Sequence, residues 1–240
     1  MNAEIVIVKL LAAHLVGDFL TQPKRLVDNK NRYRWRSGFL VLHALIHCGL
    51  MFLFLWDVHA WLPILLITCS HYIIDGIKVS FQTRTSEAKW FFGDQLTHIG
   101  IIVFIGWYFW PVGLSSLSMV DQVWIYATSL IFVTMPASVI IHYGMRRWAH
   151  EMETDKNGSL DNAGLFIGIL ERLMIITAIF TNNWQVIGFL LAAKSVFRFG
   201  DLSNANNRKL TEYVLIGTLY SFVLAIATGM AAQAVLSAAG

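Results

Sequence analysis

Eight histidine and aspartate residues occur as four pairs inside apolar segments of this chain, and every pair has the same four-residue spacing. The pairs are His14/Asp18, His43/His47, His71/Asp75 and Asp94/His98. In an α-helix residues i and i+4 lie on one face, so each pair directs two metal-ligand groups to one place. An ionisable group in a hydrophobic span costs a few kcal/mol and is usually paired or bound to an ion. The repeated spacing therefore predicts one shared polar site within a membrane.

The rest of the sequence predicts a polytopic membrane protein. Of its 240 residues, 56% are hydrophobic and only 14% are charged, which is too apolar for a soluble domain. Apolar segments of about 18 to 25 residues can cross roughly 30 Å of hydrocarbon. We identify eight of them, at about 2–20, 39–56, 60–79, 95–114, 121–141, 163–182, 183–200 and 211–236. The predicted fold is an all-α transmembrane bundle of about eight helices, with a metal-site half at 1–115 and a C-terminal half at 116–240.

The positions of lysine and arginine predict how this bundle is oriented. The connections 21–38, 80–94, 142–162 and 201–210 are basic, whereas the alternate connections contain no lysine or arginine. Basic connections face the cytoplasm under the positive-inside rule, so both termini are expected in the periplasm. Because a helix rises about 1.5 Å per residue, all four pairs then lie in the cytoplasmic third of the membrane.

Histidine together with carboxylate suits zinc, manganese or iron, whereas calcium and magnesium prefer oxygen ligands alone. Zinc is the expected ion. Eight candidates exceed the ligands of one catalytic zinc, so either two ions bind about 3.5 to 4 Å apart or some of the eight only orient the ligands. The alternative is that the pairs form hydrogen bonds between helices without any ion. The common depth of all four pairs favours a metal.

Other polar residues, some near the predicted cytoplasmic surface and some deeper in the predicted spans, are candidates for substrate binding. Lys78, Gln22 and Gln95 lie close to the pairs, and a further set lies in the C-terminal half. We predict that the substrate is bound by Lys78, Gln95, Glu171, Arg172, Lys194, Arg198 and Glu212. The lysines and arginines of this set would recognise a phosphate or carboxylate head group by charge-assisted contacts. The alternative for the C-terminal set is lysine and arginine reaching the membrane surface beside an ion pair between helices.

Several classes of function lack support in the sequence. Cys48 and Cys69 both fall inside predicted spans, so they indicate neither a disulfide nor a soluble metal motif. Nucleic-acid binding would need a basic, solvated face, and none is found. We therefore expect membrane lipids, and not nucleic acid, as the partners.

Seven sequence motifs carry a resemblance to a known family. They are HLVGDFLTQP at 14–23, HALIH at 43–47, HYIIDGIK at 71–78, DQLTHI at 94–99, LERLMI at 170–175, AAKSVFRF at 192–199 and EYVLIGTLYSF at 212–222. The sequence resembles a family of bacterial inner-membrane proteins known only as a domain of unknown function. Its His-x-x-x-Asp pattern is also similar to that of bacterial proteins labelled membrane-bound metal-dependent hydrolases. The resemblance implies the inner membrane and no particular activity.

Three functional hypotheses fit these observations. The first is a metal-dependent hydrolase that acts on a lipid or lipid-linked substrate at the cytoplasmic leaflet. The second is a transporter for a divalent metal or for protons, and the third is a non-catalytic sensor or assembly protein. A transport pathway should continue outward, yet the outer halves of the first four predicted helices contain only Glu4 and Lys9 as charged residues. That absence favours the hydrolase.

Overall fold

The structure is a computed structural model that describes residues 1–83, 85–113, 117–149, 163–198 and 205–238. Within these residues the chain is helical and has no β-strand, which confirms the all-α prediction. This part of the chain forms ten α-helices: α1 (Ala3–Phe19), α2 (Lys24–Tyr33), α3 (Gly38–Leu55), α4 (Trp61–Phe81), α5 (Glu87–Phe109), α6 (Met119–Val133), α7 (Met135–Ala149), α8 (Ala163–Phe180), α9 (Gln185–Arg198) and α10 (Ala205–Ala238). Short 3₁₀ turns occur at Arg34–Arg36 and Val58–Ala60.

Five helical stretches of the described chain are long and apolar enough to cross a membrane. They are Gly38–Leu55, Val58–Phe81, Met119–Trp148, Ala163–Phe180 and Thr211–Ser237. Helix α1 has only 17 residues, and α5 carries the polar residues Asp94, Gln95 and His98, which lower its mean hydropathy. These stretches identify a membrane protein. The count of eight spans and the periplasmic termini stay predictions.

The chain forms two compact units, residues 1–128 and residues 129–237, and the boundary falls within α6. We call them unit 1 and unit 2. Unit 1 is built on α1, α3, α4 and α5, in which α1 and α4 each pack against both α3 and α5. Successive helices of this bundle run in opposite directions. The predicted division between residues 115 and 116 stays a prediction.

Unit 1 has an apolar end and a polar end. Its apolar core contains Val6, Leu10, Ala13, Met51, Leu55, Ala60, Ile64, Ile67, Ile102 and Ile105. These residues come from the first two thirds of α1, from the start of α4 and the 3₁₀ turn before it, and from the end of α3 and α5. The four polar pairs occupy the opposite ends of the same helices, so they form a second layer of the bundle.

The connection between α1 and α3 is helical, which corrects the prediction of a simple basic loop at 21–38. Helix α2 starts directly after Pro23 and has basic residues in its last turn, as suits the dipole of a helix. It contacts α3 and α4, and the 3₁₀ turn that follows it contacts α4. Trp35 of that turn lies against Gly76, where a Cβ would overlap the indole ring. Helix α2 therefore covers the polar end of unit 1.

Unit 2 contains the rest of α6 together with α7, α8, α9 and α10. Its core includes Val133, Ile175, Ile176, Ile179, Phe222 and Ala225. The single helix predicted at 121–141 is interrupted at Thr134, because Pro136 has no backbone N–H to continue the hydrogen-bond ladder. Two helices also begin earlier than predicted, α5 at Glu87 and α10 at Ala205.

Candidate metal centre

All eight predicted metal ligands meet at the polar end of unit 1. Seven of them are buried, and the eighth, Asp18, is the least buried, with 9% of its side chain exposed. Each helix of the bundle contributes one pair, since the i,i+4 spacing puts both side chains of a pair on its inner face. The cluster consists of His14, Asp18, His43, His47, His71, Asp75, Asp94 and His98. Two overlapping groups within it have the geometry of a cation site, and they share His71.

The first group surrounds one oxygen of Asp18. Its Oδ1 atom lies 3.1 Å from Nε2 of His43, 3.1 Å from Nε2 of His47 and 3.5 Å from Nε2 of His71. The same Nε2 atoms of His43 and His71 are 3.1 Å apart. Around a tetrahedral ion with ligands at about 2.0 to 2.1 Å, ligand atoms are separated by roughly 3.3 Å. The four side chains therefore have the chemistry and the spacing of a transition-metal site.

The second oxygen of Asp18 is held by an amide. Gln95 donates a hydrogen bond from Nε2 to Oδ2 of Asp18 at 2.7 Å. Oxygen Oε1 of Gln95 lies 3.2 Å from Nε2 of His14, and that imidazole nitrogen is 3.7 Å from Oδ2 of Asp18. A hydrogen bond to the non-ligating oxygen of a carboxylate fixes its orientation toward an ion. Gln95 and His14 are thus positioned to orient Asp18, and His14 does not belong to either cation group.

The second group consists of His71, Asp75 and His98. The Nδ1 atoms of His71 and His98 are 3.1 Å apart, and Nε2 of His98 lies 3.6 Å from Oδ1 of Asp75. Oδ1 of Asp94 is 3.3 Å from Nε2 of His98, yet neither atom forms a hydrogen bond within the described residues. This group can hold a cation too, although Asp75 and the neighbouring Asp94 are each already paired with a lysine.

Two lysines neutralise the carboxylates on this side of the cluster. Lys30 donates a hydrogen bond from Nζ to Oδ2 of Asp75 at 2.9 Å, and Lys78 donates one to Oδ2 of Asp94 at 2.6 Å. Among the described residues no lysine or arginine lies within ion-pair distance of Asp18, whose neighbours are imidazoles. An unneutralised buried carboxylate attracts a cation most strongly. The charges therefore favour the Asp18 group as the place for an ion.

Lys30 is a site residue that the sequence analysis missed, since it counted Lys30 only as a charge in a cytoplasmic loop. The lysine extends from α2 and is buried with 4% of its surface exposed. One signal was present in the sequence. Leu26, Val27, Lys30 and Tyr33 follow the spacing of one helical face, which predicts an amphipathic helix with a lysine on its inner side.

Close packing around His47 depends on Gly17. A Cβ atom at Gly17 would lie 2.9 Å from Cδ2 of His47 and still closer to Cε1 and Nε2, well inside ordinary van der Waals contact. Only glycine allows α1 to approach the imidazole so closely. His47 can therefore contact Asp18, one residue further along α1, because position 17 has no side chain.

The predicted substrate-binding residues are divided between the two units. Lys78 and Gln95 contact the cluster, as described above. Glu171, Arg172 and Lys194 belong to unit 2, where Lys194 donates a hydrogen bond to Glu171 at 2.6 Å. Glu212 is an exposed residue two turns inside α10, whereas the predicted segment 211–236 would place it at the start of the helix. The side chain of Arg198 lies outside the part of the chain that the structure describes.

A comparison with known families gives a match over the first half of the chain. The sequence profile of the family described as "Protein of unknown function (DUF3307)" matches residues 6–127. The chain belongs to this family. The matched residues contain every member of the histidine and aspartate cluster and end one residue before residue 128, where unit 1 meets unit 2 in the sequence. The motifs of the C-terminal half lie beyond the match. No curated protein and no solved structure matches the chain.

Proposed function

We propose that the polar end of unit 1 binds a transition-metal ion within the membrane, and that the ion serves hydrolysis. The observation that carries the proposal is the environment of Asp18, where one oxygen faces three imidazole nitrogens at 3.1 to 3.5 Å and the other is held by Gln95. The proposed ligands are Asp18, His43, His47 and His71. Zinc suits this set best, and manganese or iron is also compatible with it.

The remaining polar residues would orient and balance this centre. Gln95 fixes the orientation of the Asp18 carboxylate by a hydrogen bond. His98 contacts His71 through its Nδ1 atom and lies near Asp75 through its Nε2 atom. Lys30 and Lys78 neutralise the carboxylates of Asp75 and Asp94. We infer one ion and not two, because a second divalent cation would meet carboxylates that already have an ammonium partner.

Hydrolysis is the reaction that such a centre supports best. A bound ion of this kind polarises a carbonyl or phosphoryl oxygen and lowers the pKa of a water ligand. Three carboxylates face two lysines in the cluster, so a divalent ion would leave one excess positive charge with all imidazoles neutral. That excess favours a substrate with an anionic group. We propose a lipid or a lipid-linked ester or amide as the substrate.

The proposed location is the cytoplasmic leaflet of the bacterial inner membrane, with both termini in the periplasm. It is supported by the basic connections, which include α2 and its neighbouring arginines. An enzyme fits better than a transporter, because an apolar core fills the end of unit 1 opposite the cluster. An ion that crossed this layer would find few polar partners besides Glu4 and Lys9 of α1.

The metal proposal is tested by elemental analysis. Protein purified in detergent without chelator should contain close to one transition-metal ion per chain by plasma mass spectrometry. The His43→Ala/His71→Ala double variant should contain only a trace, whereas His59→Ala, an exposed histidine outside the cluster, should match the wild type. Trace metal in all three proteins would refute the proposal.

The hydrolytic activity requires a separate experiment. We expect a lipid or lipid-linked species to accumulate in cells that lack the gene, and to return to its normal level with the wild type or with Asp57→Asn, a substitution outside the cluster. Asp18→Asn should fail to restore it. If no such species accumulates while the purified protein does contain metal, the centre is not hydrolytic. A changed cellular content of the same metal would then indicate transport.

A further inference from the structure

Unit 2 contains a cavity of about 560 Å³ between α7, α8, α9 and α10. This volume lies within the range of pockets that bind small molecules. Its lining is largely apolar and includes Ile141, Met145, Leu165, Ile167 and Val214. Charged side chains also reach it, since Arg172, Lys194 and Glu171 line the same cavity. A cavity of mixed character suits a ligand that has an apolar body and a polar end.

Arg172 is the residue of this cavity that calls for a ligand. The residue is 2% exposed, and its hydrogen-bond partners among the described residues are all neutral. It donates to the carbonyl oxygens of Val133 and Thr134 and to the hydroxyl groups of Ser138 and Ser221. Within the described residues no carboxylate lies at ion-pair distance from it. The structure thus buries a guanidinium charge without a counter-ion, which is costly in a low-dielectric environment.

The neighbouring ion pair does not remove this charge. Lys194 donates a hydrogen bond to Glu171 at 2.6 Å, so these two residues neutralise each other. Among the residues that the structure describes, the lining therefore carries two permanent cations, Arg172 and Lys194, against the one carboxylate of Glu171. A single anionic group in the cavity would balance it, and a guanidinium binds carboxylate and phosphate particularly well.

One nitrogen of Arg172 is free to contact such a group. Nη1 has two N–H groups, and among the described residues its one acceptor is Ser221, at 3.0 Å. Gly168 lies directly beside it, because a Cβ at this position would be 3.2 Å from Nη1. The absence of a side chain at Gly168 leaves this nitrogen open to the cavity that both residues line.

We propose that this cavity binds an amphiphile that has one acyl chain and an anionic head group, with the carboxylate or phosphate at Nη1 of Arg172. The acyl chain would lie along the apolar lining. This site is separate from the proposed metal centre and does not depend on it, since every residue of the argument belongs to unit 2.

The test measures binding of tritiated palmitate to the full-length protein in dodecyl maltoside. Lysophosphatidate should displace the palmitate, because it has the same chemistry with a different head group. Hexadecanol, which lacks the charge, and inorganic phosphate, which lacks the chain, should each compete at least about tenfold less well. Competition by hexadecanol or by phosphate as strong as that by palmitate itself would overturn the proposal.

Two glycine substitutions locate the binding. Gly217 lines the cavity, and among the described residues a Cβ there would meet only Met145, at 3.8 Å. Gly217→Leu should therefore fill the cavity with little disturbance. Gly188 of α9 is exposed, and a Cβ there would have no neighbour within 4 Å, which makes Gly188→Leu the matched control. We expect at least about a tenfold loss of palmitate binding in Gly217→Leu and none in Gly188→Leu. Equal binding by both variants would contradict the assignment.

The role of the charge is tested by Arg172→Gln. This variant should bind palmitate and hexadecanol with similar affinity, because the counter-charge for the head group is gone. Its metal content, which reports on the proposed centre in unit 1, should equal that of the wild type. A folded Arg172→Gln protein that still binds palmitate more tightly than hexadecanol would overturn the assignment. If Arg172→Gln does not fold, the result with Gly217→Leu decides the proposal.

Discussion

Replacing Gly17 by alanine adds a single methyl group, and we expect this group to disrupt the proposed metal centre. The new Cβ would lie 2.9 Å from Cδ2 of His47 and closer to the other atoms of the ring edge. The imidazole would have to move by roughly 1 Å to restore normal contact. A ligand displaced by that distance can no longer reach an ion at about 2.0 to 2.1 Å. The side chain of His47 would therefore leave the site, although residue 47 itself is not substituted.

The size of this effect follows from what the site loses. Disturbing even an outer partner of a metal ligand typically lowers affinity about 10-fold to 100-fold, so the loss of His47 should cost at least that much. Helix propensity acts in the opposite direction, since alanine stabilises a helix by about 0.5 to 1 kcal/mol relative to glycine. Any destabilisation of Gly17→Ala must therefore be steric.

The assay is competition for zinc against a chelator of known affinity, with the purified protein in detergent. Gly49→Ala is the matched control, because Gly49 is an exposed glycine of the helix that carries His47 and has no neighbour within 4 Å of its Cβ position. We expect wild-type affinity in Gly49→Ala and a loss of at least about tenfold in Gly17→Ala. Equal zinc affinity in both variants would show that His47 is not a ligand.

Three further predictions concern charge, orientation and unit 2. Lys30→Met would leave Asp75 buried without its ammonium partner, so it should lower the free energy of unfolding by about 3 to 5 kcal/mol and the thermal midpoint by about 10 °C. An unchanged midpoint would show that the ion pair is not buried in the purified protein. Alkaline phosphatase fused after Gly240 should be active and the same fusion within 24–34 inactive; the reverse pattern would invert the proposed orientation. Ser221→Ala should lower the free energy of unfolding by about 1 kcal/mol, because it removes one hydrogen-bond acceptor of Arg172. The effect is measured as a shift in the thermal midpoint, and an unchanged midpoint would show that this hydrogen bond does not stabilise the protein.

The convergence of the eight polar residues could be predicted because helix geometry determines it. A four-residue spacing fixes two side chains on one face, and their burial cost requires that this face point inward. The contacts between helices could not be predicted in the same way. Asp18 lies 3.7 Å from His14 of its own pair but 3.1 Å from His43 and from His47. Such distances depend on the rotation of each helix about its axis, which tertiary packing sets.

Short and interrupted helices were the weakest part of the sequence analysis. Helix α2 is polar, and its charges were sufficient to indicate a cytoplasmic connection. They did not show that Lys30 enters the site, which was indicated only by the helical spacing of Leu26, Val27, Lys30 and Tyr33. The break at Thr134 follows from Pro136, yet proline within membrane helices is often tolerated without interruption. The hydrogen bonds of Arg172 to the carbonyl groups at this break exist only because the two segments and α8 pack together.

The central claim is that three imidazoles and one carboxylate oxygen of unit 1 bind a transition-metal ion. X-ray absorption fine structure at the edge of the metal that copurifies with the protein measures this directly. The account predicts nitrogen and oxygen ligands at about 2.0 to 2.2 Å, with the outer-shell signal of about three imidazoles and no sulfur. In Asp18→Asn this signal should be absent or strongly reduced. A sulfur shell at about 2.3 Å, or no metal edge above that of the buffer, would contradict the account.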